Sequence, residues 1–453
     1  MTMKRLSLAL ALASLLPAQS VDELRALIEN RTGEAKKAVG IAAGVIDEKG
    51  RLVFASGRIG GGRNTPPDGD TIFEIGSITK VFTSLLLADM AEKGEVKLDD
   101  LVAKYLPESV KVPSMGDRQI TLLDLSMQVS GLPRMPDNFK PANPMNPYAD
   151  YGTERLFEFL NRHKLTRAPG EKYEYSNLAV GLLGTALARR AGTSYEALVR
   201  KRILDPLGMT STTITLSEEQ RRRLAPGHNS GLEPTANWDL DALAGAGALR
   251  STVNDMLKFL AANMELIDSP LKPAIRRMRS QLRPTDSKDM SIAMGWHVLT
   301  KYGQVFWHNG GTGGYRTHAG FDPETKRGAV VLCNTSFGVD DIGRHFIDSK
   351  YSAAKLPAAV AVTEVKLDAA TLDEYAGEYK LAPVFSIVVR RDGDKLMASA
   401  TNQPEFQVYA TKKDEFFYKV VEARLSFTRD AAGKVTGLVL HQNGRDLPGP
   451  KVK

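Results

Sequence analysis

The chain has 453 residues, 42% of them hydrophobic and 25% charged, with a formal net charge of +7. That composition excludes a disordered or collagen-like chain, and the length suffices to bury a sizeable core in one large α/β unit with a smaller companion. The basic excess is dispersed: Arg221, Arg222 and Arg223, and the group Arg276, Arg277 and Arg279, stand among polar helical residues without interleaved aromatics. They read as solvated helix faces and exclude a nucleic-acid surface as the leading interpretation.

The chain opens with Lys4 and Arg5, an apolar run from Leu6 to Leu16 and a small residue, Ala18. Residues 1–18 are therefore expected to form a secretory signal peptide, too short for a transmembrane helix, although Leu16 stands where a small residue is preferred. Export to a bacterial periplasm or the medium follows as the expectation. Residues 19–355 are read as one domain. Gly40 to Ser56 predicts two strands joined at Glu48-Lys49-Gly50, with apolar residues so continuous that the sheet is covered on one or both faces. Helical spacing follows Ser77 up to Gly94, and recurs over Leu122–Met127, Glu154–Leu165 and Leu178–Ala191. A further helix starts at a Ser251 or Thr252 cap. Strands return at Met294–Leu299, Gln304–Trp307, Thr317–Asp322 and Gly328–Asn334. Strands at both ends with helices between them predict one sheet closed by the two ends of the domain. The single cysteine, Cys333, excludes an intramolecular disulfide and reads as a buried thiol in a strand. Residues 356–372 are a small-residue linker. Residues 373–453 alternate apolar and polar positions between turns at Asp392-Gly393, Ala432-Gly433 and Asn443-Gly444, which predicts a small antiparallel β domain.

Three stretches carry chemistry. In "FEIGSITKVFTSLLL", Ser77 and Lys80 lie three apart at the start of a helix and so share a face of its first turn. A lysine kept neutral by burial or by neighbouring positive charge can serve as base to a serine hydroxyl. The pattern S-x-x-K also occurs at Ser269 and Ser352, where a capping serine and a solvated lysine explain it. Only Ser77 sits between a strand-like segment and an apolar helix that would draw its lysine inward. In "GEKYEYSNLAVGLLG", Tyr175 and Asn177 flank Ser176 ahead of another helix. A tyrosine beside a lysine ammonium is expected to have a lowered pKa and to relay protons, and the competing interpretation is a packed tyrosine next to a capping asparagine. In "QVFWHNGGTGGY", His308, Asn309, Gly310 and Gly311 end a strand with glycines that admit a close backbone approach. Neither a P-loop nor a dinucleotide fingerprint is present there.

With these residues in this order, the chain resembles the penicillin-recognising serine hydrolases: class C β-lactamases, serine D,D-peptidases and related esterases. In that family S-x-x-K, Y-x-N, and K-T-G or H-x-G line one cleft, matching Ser77 and Lys80, Tyr175 and Asn177, and His308 and Gly310. "ITLLDLSMQVSGLP", "APGEKYEYSNLAVGLLG" and "ILDPLGM" are similar to the family's landmarks, and the likeness runs from Val39 to Asn334. The tail is similar to lipocalin-like domains appended to some members. The resemblance implies an α/β fold: a β-lactamase-like antiparallel sheet flanked by helices with an α-helical subdomain, then a small barrel-like domain. It implies that Ser77 attacks a carbonyl, that Lys80 and Tyr175 move the proton, that the Ser77 and Gly311 N–H groups hold the oxyanion, and that Asn177, His308 and Gly310 bind substrate. No metal or cofactor is implied, and the partner is a small-molecule or peptide substrate: a β-lactam, a D-Ala peptide or an ester. The alternatives are a short-chain carboxylesterase on the same fold and a non-hydrolytic penicillin-binding or sensor protein. Two expectations are specific to this chain. His308 in place of lysine is expected to be half-charged near pH 6.5. Arg134, after "SGLP", is read as a surface arginine.

Overall fold

The computed structural model describes residues 21–358, 363–383, 385–401, 403, 405–421, 423–442 and 445–452. The expected signal peptide, the Asn443-Gly444 turn and part of the expected linker lie outside the described residues. An N-terminal helix, α1 (Val21–Thr32), precedes the hairpin β1 (Gly40–Asp47) and β2 (Gly50–Gly57), turned at Glu48-Lys49 as read. A single 3-10 turn, Gly76–Ile78, leads into α2 (Thr79–Glu92), and the helical subdomain that follows contains α3 (Asn177–Ala191) and α4 (Val253–Asn263). The chain then returns through β3 (Arg283–Pro284), β4 (Met290–Ile292), β5 (His297–Leu299), β6 (Val305–Gly311), β7 (Arg316–Asp322) and β8 (Arg327–Cys333), and α5 (Asp340–Ile347) closes the domain.

These strands form one antiparallel eight-stranded sheet in the order β2-β1-β8-β7-β6-β5-β4-β3. The first hairpin pairs with the last strand, Ile41 opposite Cys333 and Val45 opposite Ala329, so the sheet is closed by both ends of the domain as expected. Alternation along β1 sorts the core. Ile41, Ala43 and Val45 pack with Leu24 and Ile28 of α1 and with Ile342 and Phe346 of α5. Ala42, on the other face, joins Val253 and Leu257 of α4 and Phe82 and Leu86 of α2. Both faces are covered, which is why the apolar run in the sequence was continuous. Cys333 is fully buried, and burial pushes its thiol up to about 12.

Helix starts follow their caps: the Ser176 side chain accepts from Ala179 N, and the Thr252 side chain accepts from Asp255 N. The expected helix to Leu165 ends at Arg162, where His163 turns extended (ψ 141°). The expected strand from Met294 begins only at His297, because Gly295 (φ +73°) makes a turn in which Ala293 N donates to Trp296 O.

Beyond residue 369 a short helix, Ala369–Glu374, leads into eight antiparallel strands from Gly377–Ala382 to Arg445–Pro450, each paired with the next in chain order. The first and last approach at a bridge between Tyr379 and Lys451, which nearly closes a barrel. Its core is a separate cluster including Tyr379, Ile387, Leu425, Phe427 and Leu438.

One close approach fixes the site described below. A Cβ on Gly310 would lie 1.9 Å from Ile75 O, and one on Gly76 (φ +49°) would lie 2.7 Å from Gly311 N. Strand β6 therefore lies backbone to backbone against the turn that carries Ser77, at positions that only glycine can fill. Gly310→Ala is expected to lose about 1–3 kcal/mol in urea unfolding through overpacking. Gly338→Ala, at an exposed position where a Cβ would meet nothing within 4 Å, is the control. Equal stability of the two variants would show that the approach is slack.

Candidate active site

Ser77 is half-buried in the 3-10 turn, directly before the first turn of α2, whose start has no side-chain cap. Three residues on, Lys80 points into the core and is 0% exposed. Its Nζ lies 2.9 Å from Ser77 Oγ and donates to Ala246 O at 2.7 Å. Among the described residues no carboxylate is a partner of Lys80. Burial, reinforced by the positive charge of Arg134, holds the Lys80 amine well below its ordinary value of 10.5. A neutral amine keeps one N–H on Ala246 O and can turn its lone pair to the Ser77 hydroxyl.

Tyr175 approaches from the loop before α3. Its hydroxyl is close enough to Ser77 for the two to interact, and Lys80 Nζ lies 4.9 Å from its ring centre. The expected lowering of its pKa is corrected: burial dominates and raises it, and the interaction with Ser77 and the charge of Arg134 only partly offset this. With Lys80 neutral, the ammonium that would have lowered it is absent. The serine hydroxyl thus sits between a neutral amine and a neutral phenol, so one proton can move along the three groups without a standing ion pair in a buried place.

The structure brings Ser77, Lys80, Tyr175, His308 and the Gly310-Gly311 backbone together. Asn177 stands apart from them: its Nδ2 donates to Tyr148 Oη at 3.4 Å, and it makes no hydrogen bond to Ser77 or Lys80. Arg134 is exposed, as read, yet its guanidinium also lies 5.0 Å from the Tyr175 ring centre on the side of the cleft, where its backbone carbonyl receives Asn177 N.

His308 departs most from expectation. It is 1% exposed, its Nδ1 contacts Asn309 O at 2.6 Å, and its ring stacks on that of His297 at 4.8 Å. Burial first, then the neighbouring His297 and Lys80, hold its pKa well below 6.5. The expected half-charged histidine is therefore corrected to a neutral one. His297 is likewise buried, bonded through Nε2 to Tyr173 Oη at 3.0 Å, and lowered to about 4. Sequence reasoning missed His297, Tyr148 and the Ala246 carbonyl. None carries a local pattern: each matters only because the fold sets it beside Lys80, Asn177 or His308.

Comparison with known proteins shows the chain's family and relatives. The family profile described as Beta-lactamase matches residues 24–350, and one described only as a domain of unknown function (DUF3471) matches residues 362–450. Among relatives, the D-alanyl-D-alanine-carboxypeptidase/endopeptidase AmpH of Escherichia coli strain K12 is 31% identical over 328 residues, covering 67% of this chain and 84% of the relative. A Beta-lactamase of the same strain is 27% identical over 343 residues, covering 67% and 86%. Among solved structures, the Beta-lactamase/D-alanine carboxypeptidase from Yersinia pestis superposes with a TM-score of 0.61 at 30% identity, covering 69% of this chain and 92% of that one.

The buried histidines give a sign for pH dependence. An imidazole takes up its proton near 6.5 in the unfolded chain and, for His297, only near about 4 in the folded one. The His297 contribution to stability is complete above 6.5 and is lost as pH falls toward about 4, and that of His308 is lost in the same direction. Imidazole NMR is expected to show His297 and His308 neutral from about pH 8 down to about pH 5. A titration of His308 centred near 6.5 would overturn the reading of it as neutral.

Proposed function

The chain belongs to the beta-lactamase family, and from that premise we propose that it is a serine acyl hydrolase that cleaves β-lactam amides or D-alanyl peptide bonds through an acyl-enzyme on Ser77. The observation that carries this reading is the 2.9 Å contact between Ser77 Oγ and a buried, carboxylate-free Lys80 amine. Ser77 Oγ attacks the substrate carbonyl carbon while its proton passes to Lys80. The Ser77 and Gly311 N–H groups receive the carbonyl oxygen as it gains charge, a contribution of about 3 kcal/mol per donor in such sites. The neutral Tyr175 phenol gives its proton to the leaving nitrogen and regains one from the Lys80 ammonium. Water then attacks the acyl carbon of the ester on Ser77; its proton enters the same Lys80–Tyr175 pair and passes to Ser77 Oγ as the Oγ–acyl bond breaks and the acid departs. Asn177 and the edge of β6 at Gly310 hold the substrate's amide, while His308 acts from beneath as a neutral polar support.

A carboxylate-bearing substrate needs a cation at the cleft. With His308 and Lys80 neutral, exposed Arg134 over Tyr175 is the residue assigned to that role. The same neutrality favours a second reading, a short-chain carboxylesterase, because an ester without a carboxylate asks nothing of His308. The leader at residues 1–18 supports export to the periplasm or medium, and no helix among the described residues is long and apolar enough to cross a membrane.

Three substrates separate the readings: nitrocefin, a D-Ala-D-Ala peptide and p-nitrophenyl acetate. Turnover of either of the first two supports the proposal, and turnover of the acetate alone establishes the esterase. Ser77→Ala is expected to abolish every activity, with persistence refuting the nucleophile. Tyr175→Phe is expected to cost about 10²–10⁴ in kcat. Arg134→Ala is expected to raise KM for the two carboxylate substrates and to spare the acetate. A uniform loss across all three would remove Arg134 from substrate recognition.

A further inference from the structure

The Ser77 chemistry leaves unused a cavity of about 270 Å³ between the two domains. Trp238, Thr312 and Gly313 form its wall on the hydrolase side, and Phe385, Phe406 and Tyr418 line it from the C-terminal β domain. The lining is mostly apolar. An apolar cavity of about 150 Å³ holds a benzene ring, so this one has room for a ring or a medium-length alkyl chain.

Its hydrolase wall continues that of the reaction cleft. Thr312 and Gly313 directly follow Gly311, whose N–H faces the Ser77 turn. Trp238 lies close enough to Gly313 that a Cβ there would come within 2.8 Å of its Nε1. On its other side the Trp238 ring packs on Tyr148 at 5.2 Å, and Tyr148 is the partner of Asn177. Trp238 is itself fastened, its backbone N donating to buried Glu74 at 2.9 Å, three residues before Ser77.

The opposite wall is also tied down. Ser230 Oγ and Gly231 N both donate to Lys419 O, at 2.5 and 3.0 Å, and Lys419 Nζ reaches Glu233 at 3.4 Å and Glu364 at 2.6 Å. This tether holds Tyr418, the residue before Lys419, against the loop that leads to Trp238. Tyr418 is largely enclosed, burial raises its pKa, and its hydroxyl has no hydrogen-bond partner among the described residues. A bound molecule carrying a polar group could satisfy it. Arg316 also lines the space, but its Nη1 is spent on Thr312 O and Tyr315 O, at 2.7 and 2.8 Å, where it holds the turn after Gly311.

We infer that this inter-domain cavity is a substrate subsite that takes the apolar part of the acyl group transferred to Ser77, so that the C-terminal β domain selects for bulky or long-chain acyl groups. The inference rests on the proposed acyl transfer to Ser77. The cavity adjoins the side of the cleft where Gly311 would hold the acyl oxygen, so the acyl portion, and not the leaving group, is the part directed into it.

The test uses the full chain and kcat/KM for p-nitrophenyl acetate, butyrate and octanoate. The octanoate-to-acetate ratio is expected to exceed one and to fall about tenfold or more when Ala400→Phe fills the β-domain side of the cavity. A ratio unchanged by Ala400→Phe, or equal losses on both esters, overturns the subsite. A second readout needs no turnover. In a Ser77→Ala chain, methyl octanoate is expected to shift tryptophan fluorescence saturably, and Ala400→Phe to abolish the shift. Absence of saturable binding overturns the inference even in an active enzyme. Binding by a chain that turns over none of the esters, nitrocefin or the D-Ala-D-Ala peptide leaves the cavity's binding standing and refutes the function proposed for Ser77. Circular dichroism of the Ala400→Phe chain checks that the β domain is folded, and Phe406→Ala, which enlarges the cavity, is expected to lower the ratio through lost contact. If Ala400→Phe unfolds the domain, a Phe406→Ala ratio equal to that of the parent chain overturns the inference.

Discussion

A lysine amine buried in the core without a carboxylate is the constraint on which the rest of the site depends. An ammonium in that position would carry a desolvation penalty of several kcal/mol. Among the described residues Lys80 hydrogen-bonds to Ser77 Oγ and the Ala246 carbonyl and lies over the Tyr175 ring, and none of these is an anion. Burial favours the uncharged amine, and an uncharged amine 2.9 Å from a hydroxyl is placed as the proposed mechanism needs its base to be. Lys80 has no route to solvent because every residue of α2 from Thr79 to Met90 is buried, and its amine ends against the Ala246 carbonyl.

The second requirement is that a strand edge come within touching distance of the Ser77 turn. Side chains would hold two such backbones apart. Gly76 and Gly310 remove the obstruction from both sides at once, and the Thr317 hydroxyl fastens the contact by donating to Ile75 O at 3.1 Å. The sheet registers that place Gly310 opposite Thr317, and β1 opposite β8, make this contact a property of the whole sheet. It joins segments more than 200 residues apart, so the site exists only once both ends of the domain have paired.

This explains what the sequence could reveal. Ser77, Lys80 and Tyr175 were legible because each lies in a local pattern: a helix start, an apolar face, a cap. The strands were legible because their apolar runs are continuous, and the glycines of "HNGG" because only a close approach explains them. What was hidden is whatever depends on enclosure. Nothing local distinguishes a histidine that titrates near neutrality from one stacked on a second buried ring, so His308 was misjudged and His297 overlooked. For the same reason Tyr175 was expected to have a low pKa, since the sequence shows a lysine nearby but not that this lysine is uncharged. Arg134 was read correctly as exposed, yet its place over Tyr175 depends on a loop geometry that no spacing encodes.

His308 then fits the same logic as Lys80. In the proposed acylation Lys80 becomes an ammonium for a moment, and the cost of that charge depends on what surrounds it. A permanent cation at position 308 would add to the cost, whereas a neutral imidazole does not. The influence runs both ways, since Lys80 is among the groups that hold the pKa values of His308 and His297 down. The proposed mechanism asks for one transient positive charge on Lys80, and Arg134 stands exposed at the solvent edge. There its field still reaches Lys80 and Tyr175 and is available to a substrate carboxylate. With histidine in place of lysine in the strand motif, the proposed mechanism therefore assigns the attraction of an anion to the rim of the cleft and not to its floor.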